Sequence, residues 1–269
     1  MNIIVLSPFD LSLAAMLVLV LAGLVHLQGI PLGRQIAVSA LRTVVQLSLI
    51  GLVLKSLFNQ AHPGWMALLA CVMLLAAGRE VSARQERRLR GWWGYGIGLS
   101  AMFLSSFVVT VLALMVIISP SPWYTPQYAV PLLGMMLGNT MTSISLGLDR
   151  LNSEAWRDRA MIETRLALGH TSLEAIRPIR RRAIRSGLIP AINAMAAAGL
   201  VSLPGMMTGQ ILGGNPPMVA VKYQILIMFM IAAGTGFGTM AAVWFGIRRL
   251  FDQRQRLRLD RLTHDKEGS

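Results

Sequence analysis

Long, nearly uncharged apolar runs dominate this sequence. Several reach eighteen residues or more, enough to cross a hydrocarbon core of about 30 Å as helix. Inside a bilayer every backbone N–H and C=O must be satisfied within the protein, so such runs can only become helices or a closed barrel. Their continuous, non-alternating apolar character selects helices. Composition agrees: 54% of the 269 residues are hydrophobic and 14% are charged. A soluble domain typically carries about 25% charged residues. The fold class expected is therefore all-α, a polytopic integral membrane protein of about seven transmembrane helices with a cytoplasmic helix-turn-helix segment.

Hydropathy places the spans at about 9–27, 36–57, 65–78, 92–119, 128–148, 187–207 and 220–247 within a single transmembrane domain, 1–269. No Lys or Arg precedes the first run, so it reads as a retained span and not a cleaved signal. No internal repeat is visible. Alternate assignment of the connections puts Arg34, the Arg79–Arg90 group, the Arg-rich segment 149–186 and the tail from Arg248 on one side. The amino terminus, His62, the Pro-rich stretch 119–126 and 209–219 fall on the other, without Lys or Arg. This asymmetry predicts an external (periplasmic) amino terminus and a cytoplasmic carboxyl terminus in a bacterial inner membrane. The net charge of +13 thus reflects topology, and no basic patch interleaved with aromatics suggests nucleic acid. The tail Arg248–Arg261 is expected to be a helix on anionic lipid, or simply a topology determinant.

Segment 149–186 has the clearest helix punctuation. Ser153 is placed as the cap of a helix to Leu168, and Gly169 stands where a left-handed stop is wanted. Thr171-Ser-Leu-Glu174 is a capping box opening a second helix, which Pro178 is expected to kink on its way into the sixth span. The arginines at 177, 180, 181, 182 and 185 form either a solvated face near headgroups or a surface for an acidic partner.

Glu163-Thr-Arg-Leu-Ala-Leu-Gly169 resembles the coupling loop of many ABC-transporter permeases, with Thr164 and Arg165 in place of the usual alanines. Three further stretches keep family order and spacing. They are Arg42-Thr-Val-Val-Gln-Leu47 leading to Gly51-Leu-Val-Leu-Lys55, Gly134-Met-Met-Leu-Gly-Asn139, and Gly199-Leu-Val-Ser-Leu-Pro-Gly-Met-Met-Thr-Gly209 followed by Tyr223-Gln224. Over nearly its whole length the chain is similar to the Fet-type iron-export permease family, formerly an uncharacterised membrane protein family and related to plant aluminium-tolerance half-transporters. The resemblance implies a permease subunit exporting iron, working as a homodimer with a separate cytoplasmic ATPase that binds ATP and Mg. It implies that Glu163, Leu168, Gly169, His170, Thr171 and Glu174 contact that ATPase. Asn193 and Ala196 stand where some members carry an acidic and a basic residue, so no role for those charges carries over.

The residues themselves agree with that division of labour. No Gly-x4-Gly-Lys-Ser/Thr loop occurs, so nucleotide must be bound elsewhere if transport is ATP-driven. The histidines at 26, 62, 170 and 264 lie far apart without partners at ligand spacing, and no metal site is assigned. The candidate translocation path comprises Arg42, Gln46, Asn139, Asn193, Ser202, Pro204, Gly205, Met206, Met207 and Gln224. Pro204 and Gly205 interrupt the sixth span and free carbonyls for a cavity, or they mark a helix end turning outward. The polar fifth span, with Asn139, Thr140, Thr142, Ser143 and Ser145, lines a route or joins helices. Arg42 either snorkels or faces a cavity together with Gln46. The Gly134/Gly138 and Gly234/Gly238 pairs allow close packing within the chain or between two copies.

Other classes fit less well. An ATP-independent channel or carrier lacks a deep acidic residue for ion coupling, since Asp10 and Asp149 sit at span ends. An intramembrane enzyme lacks a nucleophile paired with a base or metal. An ABC permease for another substrate stays open on the residues alone.

Overall fold

The computed structural model describes residues 7–59 and 62–263. Among these the chain is helical, with isolated β-bridges and no strands. Six helices are long and apolar enough to cross a membrane: Pro8–Leu27, Gly33–Lys55, Pro63–Ala83, Trp92–Ile118, Pro126–Arg157 and Pro217–Leu250. They cover six of the seven expected spans. The chain divides into two compact units, one of residues 1–62 with 212–214 and one of the remainder.

The first unit is a helical hairpin of α1 (Pro8–Leu27) and α2 (Gly33–Asn59). Ser7 caps α1 reciprocally with Asp10, and Pro8 sits in the first turn, where its missing N–H costs nothing. Gly29, at φ +71°, turns the chain between them.

The second unit contains α3 (Pro63–Ala83), α4 (Trp92–Met102), α5 (Val108–Leu112), α6 (Pro126–Arg157), α7 (Arg159–Ala167), α8 (Ser172–Ala175), α9 (Arg177–Ala197), all but the last residue of α10 (Gly205–Leu212) and α11 (Pro217–Leu250). Two π-helical stretches, Phe103–Phe107 and Ala113–Ile118, make one continuous span of α4 and α5. In the first of them the buried Ser105 hydroxyl donates to the Ala101 carbonyl, and Thr110 donates to the Ser106 carbonyl at 2.6 Å. Hydroxyls thus take up carbonyls around the altered ladder.

The core is the contact of α6, α9 and α11. Ile144, Leu148, Leu151 and Ala155 form one buried helical stripe on α6 that meets Ala242, Val243 and Ile247 of α11 and Ala183 of α9. A Cβ on Gly187 would lie 2.6 Å from Thr239 Cγ2 and 2.7 Å from the Ser143 carbonyl oxygen, so the three backbones meet where only glycine fits. Gly234 and Gly238 are likewise buried against Met136, Thr140 and Ser105 of the same chain, which settles that pair as intrachain packing.

Three sequence expectations are corrected. Ser153 caps nothing: α6 runs unbroken to Arg157, because the buried stripe continues through Leu151 and Ala155. The break falls at Asp158, with φ −97° and ψ 26°. The sixth span is no continuous helix; α9 stops at Ala197, residues 198–204 are irregular, and α10 starts at Gly205. The tail is not a helix either. Past Leu250 the chain turns back, with Phe251 bridging Leu257 and Leu262 bridging Leu89. Phe251 and Leu262 are buried in the core, and Arg261 donates to the Arg249 carbonyl at 2.8 Å. The apolar residues of the tail follow an extended, not a helical, spacing. Asp252 meanwhile accepts the backbone N–H of Arg254 and of Arg256, both at 2.9 Å, and so builds the turn. His264 lies outside the described residues.

Candidate functional site

At about 1.5 Å per residue, the 32 residues of α6 reach roughly 48 Å, well past a hydrocarbon core. Its last turns therefore stand clear of the bilayer, and there the chain builds a corner. α7 ends in a two-bond stop: Gly169 N–H reaches the Leu166 carbonyl at 3.0 Å and His170 N–H reaches the Arg165 carbonyl at 3.1 Å. Gly169, at φ +90°, occupies the left-handed position this stop requires. The expected capping box then opens α8, with Thr171 N–H donating to Glu174 Oε2 at 2.8 Å and Glu174 N–H to Thr171 Oγ1 at 3.4 Å. The Thr171 backbone N–H, then its hydroxyl, hold the Glu174 carboxyl below its ordinary range. Pro178 sits in the first turn of α9, so the direction change falls at Ile176 just before it.

Beneath the corner, Ile162, Ala175, Ile176 and Ile179 are fully buried. On top, Glu163, Leu168, Gly169, His170, Thr171 and Glu174 are all exposed. Leu168 is 74% exposed, an apolar side chain held out at a rigid turn. The six residues expected to act together are thus all accessible at this corner.

Two parts of this region were not singled out as sites from the sequence. Glu154, only 1% exposed, receives Arg182 Nε at 2.6 Å on one carboxylate oxygen. Arg150 faces the other oxygen as an ion pair outside hydrogen-bond geometry. Arg182 also reaches Asp158 at 3.3 Å, so one guanidinium ties α9 to α6 and to the break before α7. The second part is the turned-back tail. Gln255 Oε1 accepts the Ser172 N–H at 2.8 Å, and Gln253–Arg256 face Leu166 and Gly169–Thr171 across a groove of about 530 Å³. The expected tail helix concealed this contact; its one local signal was Asp252, four residues before Arg256.

At the opposite end of the second unit lies the broken helix. Gly199, at φ +84°, donates to the Ser202 carbonyl at 2.9 Å, and Ser202 N–H returns to the Ala197 carbonyl at 3.2 Å. Pro204, Met207 and Gln224 line a cavity of about 410 Å³ with Met195, Met228 and Phe229. Gln224 is 7% exposed, and among the described residues its Oε1 has no hydrogen-bond partner. The other path candidates do not converge here. Met206 packs against the apolar cluster that includes Ile227 and Met230, while Ser202 and Gly205 are exposed. Asn139 is exposed on α6, donating to the Met135 carbonyl at 2.8 Å, and Asn193 is exposed on α9. Arg42 and Gln46 are exposed on α2 in the first unit. Among the described residues no three His, Cys, Asp or Glu side chains gather as a metal site.

Comparison with known proteins places this architecture. A membrane protein of Synechocystis, UPF0014 membrane protein slr1647, is 41% identical over 87% of this chain and 90% of its own length. The Arabidopsis thaliana protein ALUMINUM SENSITIVE 3 is 35% identical over 82% of this chain and 80% of its own. The Escherichia coli "Probable iron export permease protein FetB" is 31% identical over 92% of this chain and 93% of its own. No solved structure matches the chain. The model of the Uncharacterised protein family (UPF0014) matches residues 8–251, and this multi-pass membrane protein belongs to that family.

Proposed function

We propose that this chain is the membrane-spanning permease subunit of an ABC transporter that exports iron from the cytoplasm, driven by a separate cytoplasmic ATPase. ATP and Mg are bound by that subunit. The observation that carries the reading is the exposed corner Glu163–Glu174: a doubly capped turn with Leu168 held out to solvent, continuous through α6 and α9 with the membrane-spanning helices. Such a corner transmits a push from a docked subunit into the helices, because its buried face leaves no slack between them. The arginine-rich end is the cytoplasmic one, in accord with the charge asymmetry of the connections, and the amino terminus lies outside a bacterial inner membrane.

Export of iron rests on the name of the E. coli relative, which shares its length almost entirely with this chain. The cavity at the broken helix is the segment of route that side-chain chemistry favours. Gln224 offers an amide oxygen, Met195, Met207 and Met228 line the same space, and contacts of that weakness release what they bind. A homodimer accounts for the outward-facing Gly138, Asn139 and Asn193, polar or small groups on membrane helices that a second copy would cover.

The test is Gly169→Trp. A Cβ here meets open space, so bulk does not disturb the interior; the positive φ strains the turn, and the indole blocks the docking face. The variant is expected to insert normally and to lose ATP-dependent iron transport by at least about tenfold in proteoliposomes with the ATPase. Wild-type transport by this variant would reject the coupling role, and wild-type protein that moves iron equally without ATPase would reject the ABC assignment.

A further inference from the structure

At the arginine-rich end of the second unit, the start of α4 and the end of α11 enclose a groove of about 630 Å³ lined by Trp92, Trp93, Gly96, Phe245, Arg248 and Arg249. The Arg248 guanidinium lies 3.8 Å over the Trp244 ring centroid and that of Arg249 lies 4.4 Å over Trp93. Neither forms a salt bridge among the described residues, whereas Arg150, Arg182, Arg256 and Arg258 all do. Stacking engages the face of a guanidinium and leaves its N–H edge free to donate, the edge that matches phosphate oxygens. Both helices are membrane spans, and both arrive at this level with their terminal turns. Tryptophan and arginine at span ends mark the headgroup layer.

Deeper, the groove turns apolar. Gly96 lies one turn inside Trp92, and Phe245 one turn inside Arg249. A Cβ on Gly96 would meet nothing within 4 Å, so this glycine serves neither a tight backbone approach nor a left-handed turn; its missing side chain keeps the groove open. The Ser100 hydroxyl, one turn further, is already committed to the Ile97 carbonyl at 3.2 Å. Two free cationic edges therefore sit at headgroup level above an apolar slot open toward the hydrocarbon.

We propose that this groove binds an anionic phospholipid, its phosphate at Arg248 and Arg249 and the upper part of an acyl chain along Gly96. The proposal is independent of what the protein transports. Purified full-length protein in neutral detergent, titrated in native mass spectrometry with phosphatidylglycerol or phosphatidylcholine of identical chains, tests it. Wild type is expected to bind phosphatidylglycerol about tenfold or more tighter. Arg248→Gln with Arg249→Gln removes that preference. Gly96→Leu, whose Cβ meets nothing within 4 Å and whose branch points into the groove space, lowers binding with both arginines intact. Arg181→Gln, a charge lost from the same end but outside the groove, leaves the preference as it was. Equal binding of the two lipids, survival of the preference in the double variant, or unchanged binding by Gly96→Leu would overturn the proposal. Competition by chain-free glycerol phosphate at equal concentration would overturn it too, marking a site for free phosphate instead.

Discussion

The two ends of the second unit solve the same problem, how to stop a membrane helix, in opposite ways. At the arginine-rich end α6, α7, α8 and α9 are closed by a two-bond glycine stop, a capping box and a carboxylate–guanidinium cluster over a dry apolar floor. At the other end α9 stops against residues 198–204, where Leu200 is 91% and Val201 85% exposed and three backbone bonds hold the turn. Interruptions inside a bilayer are tolerated only where protein or water covers them. The first end is built to move as a body. The second is built around a gap, with a buried, unpartnered Gln224 oxygen beside it. On the permease reading proposed above, rigid transmission at one end and loose enclosure at the other is the arrangement an alternating pump needs.

The contrast fails most completely if its shared scaffold is forced apart. Gly187→Val puts methyl groups where Thr239 and the Ser143 carbonyl already stand, on two different helices. Overpacking of this kind costs about 1–3 kcal/mol, at the upper end here because backbone cannot yield as a side chain does. Thermal unfolding in detergent should show the largest loss of any variant named here, and loss of transport with it. An unchanged melting temperature would mean that α6, α9 and α11 do not meet at this glycine.

Glu154→Ala addresses the rigid end alone. It leaves Arg150 without its partner and Arg182 with Asp158 alone, each arginine nearly half exposed, so the cost lies near 1–3 kcal/mol and below that of a fully buried pair. Transport should fall by more than stability does, since α9 loses its buried tie to α6 and keeps only the exposed Arg182–Asp158 contact at the α7 break. Measured ATPase activity that persists while transport drops would locate the fault in transmission. A loss confined to stability would make the cluster a fastening only.

How much of this was legible beforehand follows from the range of each signal. Gly169 and the Thr171–Glu174 box act within four residues, and both stand where the sequence put them. Six spans were equally plain, because runs of apolar residues are read without reference to anything else. Ser153 misled because a capping residue inside a helix looks the same as one at its start; the buried stripe that overrides it is tertiary. The tail misled for a related reason: its alternating Arg and Leu fit a basic surface helix until Leu89, Arg88 and Arg90 supply extended partners more than 150 residues away in sequence. The path residues were chosen by polarity within spans, and at 204–207 by a helix interruption flanked by methionines. Neither polarity nor a break says which way a helix turns its face, and so only Pro204, Met207 and Gln224 came together.

The smallest expected effect refines the rigid end to a single cap. Thr171→Ala removes the hydroxyl that accepts Glu174 N–H and should cost about 1 kcal/mol, against almost nothing for Val201→Ser at the loose end. The same cap predicts a direction with pH. Because the folded Glu174 carboxyl titrates below its ordinary value of 4.5, its contribution is complete above that value and fades as pH falls through the lower, folded one. Hydrogen exchange at the Thr171 and Glu174 amides should therefore accelerate below about pH 4.5, after correction for the intrinsic pH dependence of exchange, in wild type but not in Glu174→Gln. The glutamine keeps an acceptor oxygen for the box without a proton to gain. Identical corrected profiles in the two proteins would mean that the corner is held by its apolar floor alone, and that the box contributes nothing the buried isoleucines do not already supply.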